Sequence, residues 1–122
     1  MYLTDRKRAQ GHGSAGHGTE AHWNMSLSSA ALVILIPLFV FTFGFALGLP
    51  FLEARAYYAR PVPATIAALT ILVSMIHFRG GVQVLIEDYV RGDARKLSIM
   101  AAVIVAYALA ALALVSIVRI AL

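Results

Sequence analysis

The sequence predicts an all-α membrane protein with three transmembrane helices. Apolar residues make up 61% of its 122 positions and charged residues 13%, against roughly 45–50% and 25% in ordinary soluble domains. The mean hydropathy is +0.82. The charges are also segregated into a tail and two short loops, leaving three long runs that carry almost none.

Those features also exclude classes of function. There is no cysteine, so disulfides, thiolate zinc sites, iron–sulfur ligation and covalent c-type haem attachment are ruled out within this chain. The net charge is +4, but no basic stripe lies on a soluble module, so nucleic acid is not an expected partner. The charge carries topology information instead.

The first element, residues 1–29, is polar. Arg6, Lys7 and Arg8 precede a Gly/His-rich stretch, GHGSAGHGTEAHW, without helical or strand periodicity, which predicts a mostly extended tail ending in an interfacial segment. The apolar run that follows is too long for a signal-peptide core of about 7–15 residues. His12, His17 and His22 recur at a spacing that does not align them on one helical face. That spacing disfavours a metal site and favours a mobile or partner-docked tail.

The membrane domain, residues 30–122, begins with an uncharged run from Ala30 to Leu52. It exceeds the about 20 residues needed to cross a hydrocarbon core of about 30 Å. Pro37 and Pro50 are tolerated where neighbours satisfy the freed carbonyls. Gly44 and Gly48 form a small-xxx-small face on which another helix can pack. Glu53 to Pro61 is then a turn, with Tyr57 and Tyr58 placed as interfacial anchors.

Pro61 and Pro63 suit the first turn of a second helix, and Val62 to Ile86 is the second span, interrupted by His77 and Arg79. Glu87 to Lys96 reads as a charged loop, and Leu97 to Val118 as the third span, closed by Arg119. Three spans put the termini on opposite sides. The tail and second loop carry Arg6, Lys7, Arg8, Arg91, Arg95 and Lys96, against Arg55, Arg60 and Arg119 on the other side. The positive-inside rule then places the N-terminus in the cytoplasm and the C-terminus in the periplasm of a bacterial inner membrane.

His77 is the sole histidine within a span. Ionisable side chains there are costly and functional by default. A neutral imidazole in that position either ligates haem iron or hydrogen-bonds a neighbouring helix. At about 100° per residue, Gly81, Val84 and Asp88 share its face. The glycine leaves room for a flat macrocycle, and Asp88 lies about 16 Å further along the axis, at the membrane surface. Arg79 needs an anionic partner, such as a haem propionate, or a route to the surface. Tyr89 and Asp88 pair a phenol donor with a carboxylate, groups that a quinone under reduction requires.

The stretch from His77 through Gly80, Gly81 and Glu87 to Asp88-Tyr89-Val90 resembles the signature of the small hydrophobic anchor subunit of succinate dehydrogenase. The tail segment Gly13-Ser14-Ala15, Gly18-Thr19 and His22-Trp23 is similar to that family's N-terminal motif. The resemblance implies that three spans form half of a two-chain anchor bundle. It further implies that His77 is an axial ligand of haem b, with Arg79 toward a propionate, and that Tyr89 and Asp88 hold ubiquinone. Because two-histidine ligation needs two imidazoles, the second would come from a cytochrome b anchor chain. An iron–sulfur subunit and a flavoprotein subunit complete the implied complex. Many members carry arginine where this chain reads Asn24 to Ser29, so a contact from that stretch is not carried over.

The expected function is therefore the membrane anchor of a succinate:ubiquinone oxidoreductase. The alternatives are the anchor of a fumarate reductase, a small transporter with His77 and Arg79 along a polar path, and a non-redox scaffold packing through Gly44 and Gly48. No internal repeat favours the transporter.

Overall fold

The computed structural model describes residues 4–11, 13, 16 and 18–122. Its elements are α1 (Asp5–Gln10), α2 (Gly18–Leu47), α3 (Phe51–Tyr58), α4 (Pro61–Tyr89) and α5 (Asp93–Ala121), with no strand among the described residues. α2, α4 and α5 are each long and apolar enough to cross a membrane.

The tail is more helical than its composition predicts. Thr4 caps α1, its hydroxyl accepting from the Lys7 amide at 3.4 Å, and Gly11 closes it at φ 57°. α2 begins at Gly18 rather than Ala30. Nucleation is the costly step of helix formation, and adding a residue to an existing end gains a hydrogen bond for one residue fixed. The first span therefore propagates outward through polar residues that could not start a helix alone. Its 30 residues make it about 45 Å long. His12 and His17, like Ser14 and Ala15 of the tail motif, lie outside the described residues.

α2 stops at Leu47, before the end of the apolar run. Pro50 lacks an N–H and disfavours the helical conformation at Leu49. It stands instead as the N-cap of α3, so the expected turn is largely a short helix. Pro61 opens α4 as anticipated, with Arg60 as its N-cap. α4 then continues to Tyr89, so Glu87, Asp88 and Tyr89 belong to its last turn rather than to a loop. Gly92, at φ 67°, makes the reversal into α5.

The three long helices form a row. α4 packs against both α2 and α5, which do not contact one another among the described residues. The α2–α4 seam is antiparallel, and its register is marked by three pairs. Thr70 donates to the Leu35 carbonyl at 3.4 Å, Ser28 meets His77 at 2.9 Å, and a Cβ at Gly80 would fall 2.8 Å from the Met25 methyl. Buried residues are mostly small: Ala46, Ala64, Ala67, Ala106, Ser28 and Thr70, with Leu32. Small side chains let membrane helices approach closely, where packing rather than water exclusion drives association. Gly44 does not contribute to this, since a Cβ there would meet nothing within 4 Å.

Candidate functional site

The site is built around α4. His77 is half-buried and turned toward α2, where its Nδ1 lies 2.9 Å from the Ser28 hydroxyl. Ser28 is itself buried and donates to the Met25 carbonyl at 2.9 Å. A hydroxyl has one proton, and a carbonyl can only accept. Were that proton turned to His77 instead, two oxygen lone pairs would face each other across the Ser28–Met25 contact. The lower-energy arrangement for a neutral imidazole sends the hydroxyl proton to Met25 and has Nδ1–H donate to Ser28. Nε2 is then left with its lone pair, and no hydrogen bond engages it among the described residues.

That donor set fits an axial haem ligand. Metal-bound histidines commonly donate their other N–H to a fixed acceptor, which sets ring orientation and raises ligand basicity. One such nitrogen would supply a single ligand. Gly81, on the His77 face, is exposed, and a Cβ there would meet nothing within 4 Å. The closely packed glycine is Gly80, which the sequence did not single out for that role.

Arg79, two residues on, lies about 200° around the helix from His77. It faces α5 and donates to the Tyr107 hydroxyl at 2.8 Å, with its guanidinium carbon 5.7 Å from the centroid of the same ring. Its partner in this chain is thus an uncharged phenol using both its oxygen and its π face. His77 and Arg79 engage opposite neighbours of α4.

Asp88 and Tyr89 end α4, and both are exposed, Tyr89 to 80%. Gln83 donates to Glu87 at 3.0 Å, holding one acid of this turn and leaving Asp88 outside that pair. The phenol and the neighbouring carboxylate stand about three helical turns from His77 rather than beside it, about 18 Å along the axis for Tyr89. A groove of about 650 Å³ runs along the α2–α4 seam from Val73 to Gln83, with Asn24, Ser28, Arg79 and Gln83 as its polar lining; it does not reach Asp88 or Tyr89. Ser28, Gln83 and Tyr107 escaped the sequence reading. A tyrosine deep in an uncharged span was the available signal for Tyr107, whereas Ser28 lay in the segment read as polar tail.

No group of three His, Cys, Asp or Glu side chains is placed to hold a metal ion among the described residues.

Comparison with known proteins finds membrane subunits. Residues 3–115 match the family described as succinate dehydrogenase/fumarate reductase transmembrane subunit. The chain is 43% identical over 121 residues to the succinate dehydrogenase hydrophobic membrane anchor subunit of Paracoccus denitrificans, covering 99% of this chain and 94% of the relative. No solved structure matches it.

Proposed function

The chain belongs to the succinate dehydrogenase/fumarate reductase transmembrane subunit family, and from that premise we propose that it anchors a succinate:ubiquinone oxidoreductase, contributes one ligand to haem b and forms part of the quinone site. It is a multi-pass membrane subunit of an oxidoreductase complex, and its catalytic partners lie on other chains. The observation that carries the finer reading is the His77–Ser28 pair, which leaves one imidazole nitrogen unspent inside a membrane helix.

In this reading the iron–sulfur and flavoprotein subunits dock on the surface that bears Tyr89, and a cytochrome b anchor chain packs beside the row. Succinate oxidation releases two electrons, and the quinone takes up two electrons and two protons. Tyr89 donates a hydrogen bond to a quinone carbonyl oxygen, which stabilises the charge that develops there on reduction. Asp88, exposed to water beside it, relays protons from that side. His77 Nε2 would hold the iron, with Ser28 fixing the ring, and Arg79, on the opposite side of α4, would reach a propionate only by leaving Tyr107. Haem b would supply a one-electron redox centre within the membrane. The cation asymmetry supports an orientation with the Tyr89 end of α4 in the bacterial cytoplasm and the C-terminus in the periplasm.

The test is His77→Ala in the whole complex. Loss or displacement of the b-type absorbance is expected. An unchanged spectrum at full haem occupancy would remove His77 as a ligand. The family also includes fumarate reductases; the succinate direction rests on the relative from Paracoccus denitrificans.

A further inference from the structure

A second groove, of about 460 Å³, lies at the end of the molecule remote from Tyr89, between α3 and the last turn of α5. Arg55 and Arg119 enter it from different helices, the walls include Phe51, Ile120 and the ring of Tyr58, and no acidic residue lines it. Ser116, also in the lining, spends its hydroxyl proton on the Leu112 carbonyl at 2.8 Å. Glu53, the acid closest in sequence, is two residues from Arg55 and so about 200° around α3. Among the described residues, no acidic side chain shares the groove with the two arginines.

We propose that this groove binds the phosphate headgroup of an anionic phospholipid. Two cations brought to one site repel each other, and a shared anion reverses the sign of that interaction. Guanidinium matches phosphate geometry through paired N–H donors. The apolar walls choose between sources of the phosphate. Phe51 and Ile120 offer nothing to a free ion, whereas they can lie along the glycerol and upper acyl chains of a lipid. The site's height agrees, because α2 ends, α4 begins and α5 ends at this level, where headgroups lie. A zwitterionic lipid would carry its own cation toward two arginines, so the selected headgroup is one with net negative charge. This inference does not depend on the haem or quinone reading.

The experiment uses the whole complex purified in detergent, as wild type, Arg55→Gln, Arg119→Gln and the double variant. Retained lipid is quantified by mass spectrometry, and thermal stability is followed on adding phosphatidylglycerol, phosphatidylcholine or inorganic phosphate. The wild type should retain anionic lipid and be stabilised by phosphatidylglycerol alone. At about 1 kcal/mol per cation near an anionic surface, affinity should fall about fivefold in each single variant and about thirtyfold in the double, with dye-linked succinate oxidation unchanged. Equal lipid retention in wild type and double variant would overturn the proposal. So would stabilisation by phosphatidylcholine to the same degree, which would indicate apolar filling, or by inorganic phosphate, which would indicate a soluble anion. If the double variant fails to assemble, the single variants carry the same fivefold expectation, and Arg55→Lys/Arg119→Lys should keep the preference for negative charge.

Discussion

The Ser28 hydroxyl and the His77 imidazole, 49 positions apart in sequence, meet at 2.9 Å across the α2–α4 seam. That contact fixes which imidazole nitrogen keeps its lone pair and which way the ring points. Ser28→Ala would remove the acceptor and leave a part-buried N–H without a partner, at a cost of about 1–3 kcal/mol. The expected result is weakened haem retention, by about 10–100-fold from the known effect of losing such a partner, together with a shifted haem midpoint potential in a redox titration. Ser28→Thr keeps the hydroxyl and should restore both. A potential and haem content indifferent to Ser28→Ala would show that this contact does not orient a ligand.

Tyr89 is mostly exposed and ends its helix, so its hydroxyl is free to meet a substrate. Tyr89→Phe removes one hydrogen-bond donor while preserving the ring. Succinate–ubiquinone reductase activity should fall about tenfold, as expected for one hydrogen bond worth about 1.4 kcal/mol. Oxidation of succinate by an artificial dye, which bypasses the quinone site, should be unchanged. Parallel loss of both activities would point to failed assembly instead.

Tyr58, at the opposite end, has a buried hydroxyl that makes no well-formed hydrogen bond among the described residues, with the Thr42 side chain as its polar neighbour. Burial, and then the neighbouring Tyr57, push its phenol above the ordinary tyrosine value of 10.0, and the Thr42 side chain offsets them only in part. A group whose folded value is raised contributes stability that is complete below the unfolded value and is lost as pH rises through the folded one. The complex should therefore lose melting temperature above about pH 10. Tyr58→Phe deletes a buried hydroxyl whose one polar neighbour is Thr42, so it should be close to neutral at pH 7 and should flatten part of the alkaline loss. A marked drop in melting temperature at pH 7 would mean that the hydroxyl has a partner in the assembled complex.

The three spans were legible because membrane crossing depends on local properties: length, apolarity and the absence of charge. Pro61 was legible for the same reason, its geometry being suited to a first helical turn. The partners of the site were not. Periodicity puts His77, Gly81 and Asp88 on one face, but it does not say which helix that face meets or at what height. Ser28 and Tyr107 follow from the register of α2 and α5 against α4, which is set by small residues such as Ala67, Thr70 and Ala106 packed between them. Gly80 shows the same limit. It and Gly81 are adjacent in sequence, yet one abuts Met25 and the other faces open space. The helical tail was hidden because its start at Gly18 is sustained by the apolar helix that follows it, not by its own residues.

The row of helices also bears on how the chain is made. α2 and α4 can join as a hairpin once the second has entered the bilayer, and α5 then docks on the free side of α4. Until it does, Arg79 lacks its phenol partner, so the guanidinium must snorkel to the surface or hold water within the lipid. The arrival of Tyr107 relieves that demand. Docking of the last helix thus supplies the middle one with the polar partner that its arginine needs inside the membrane.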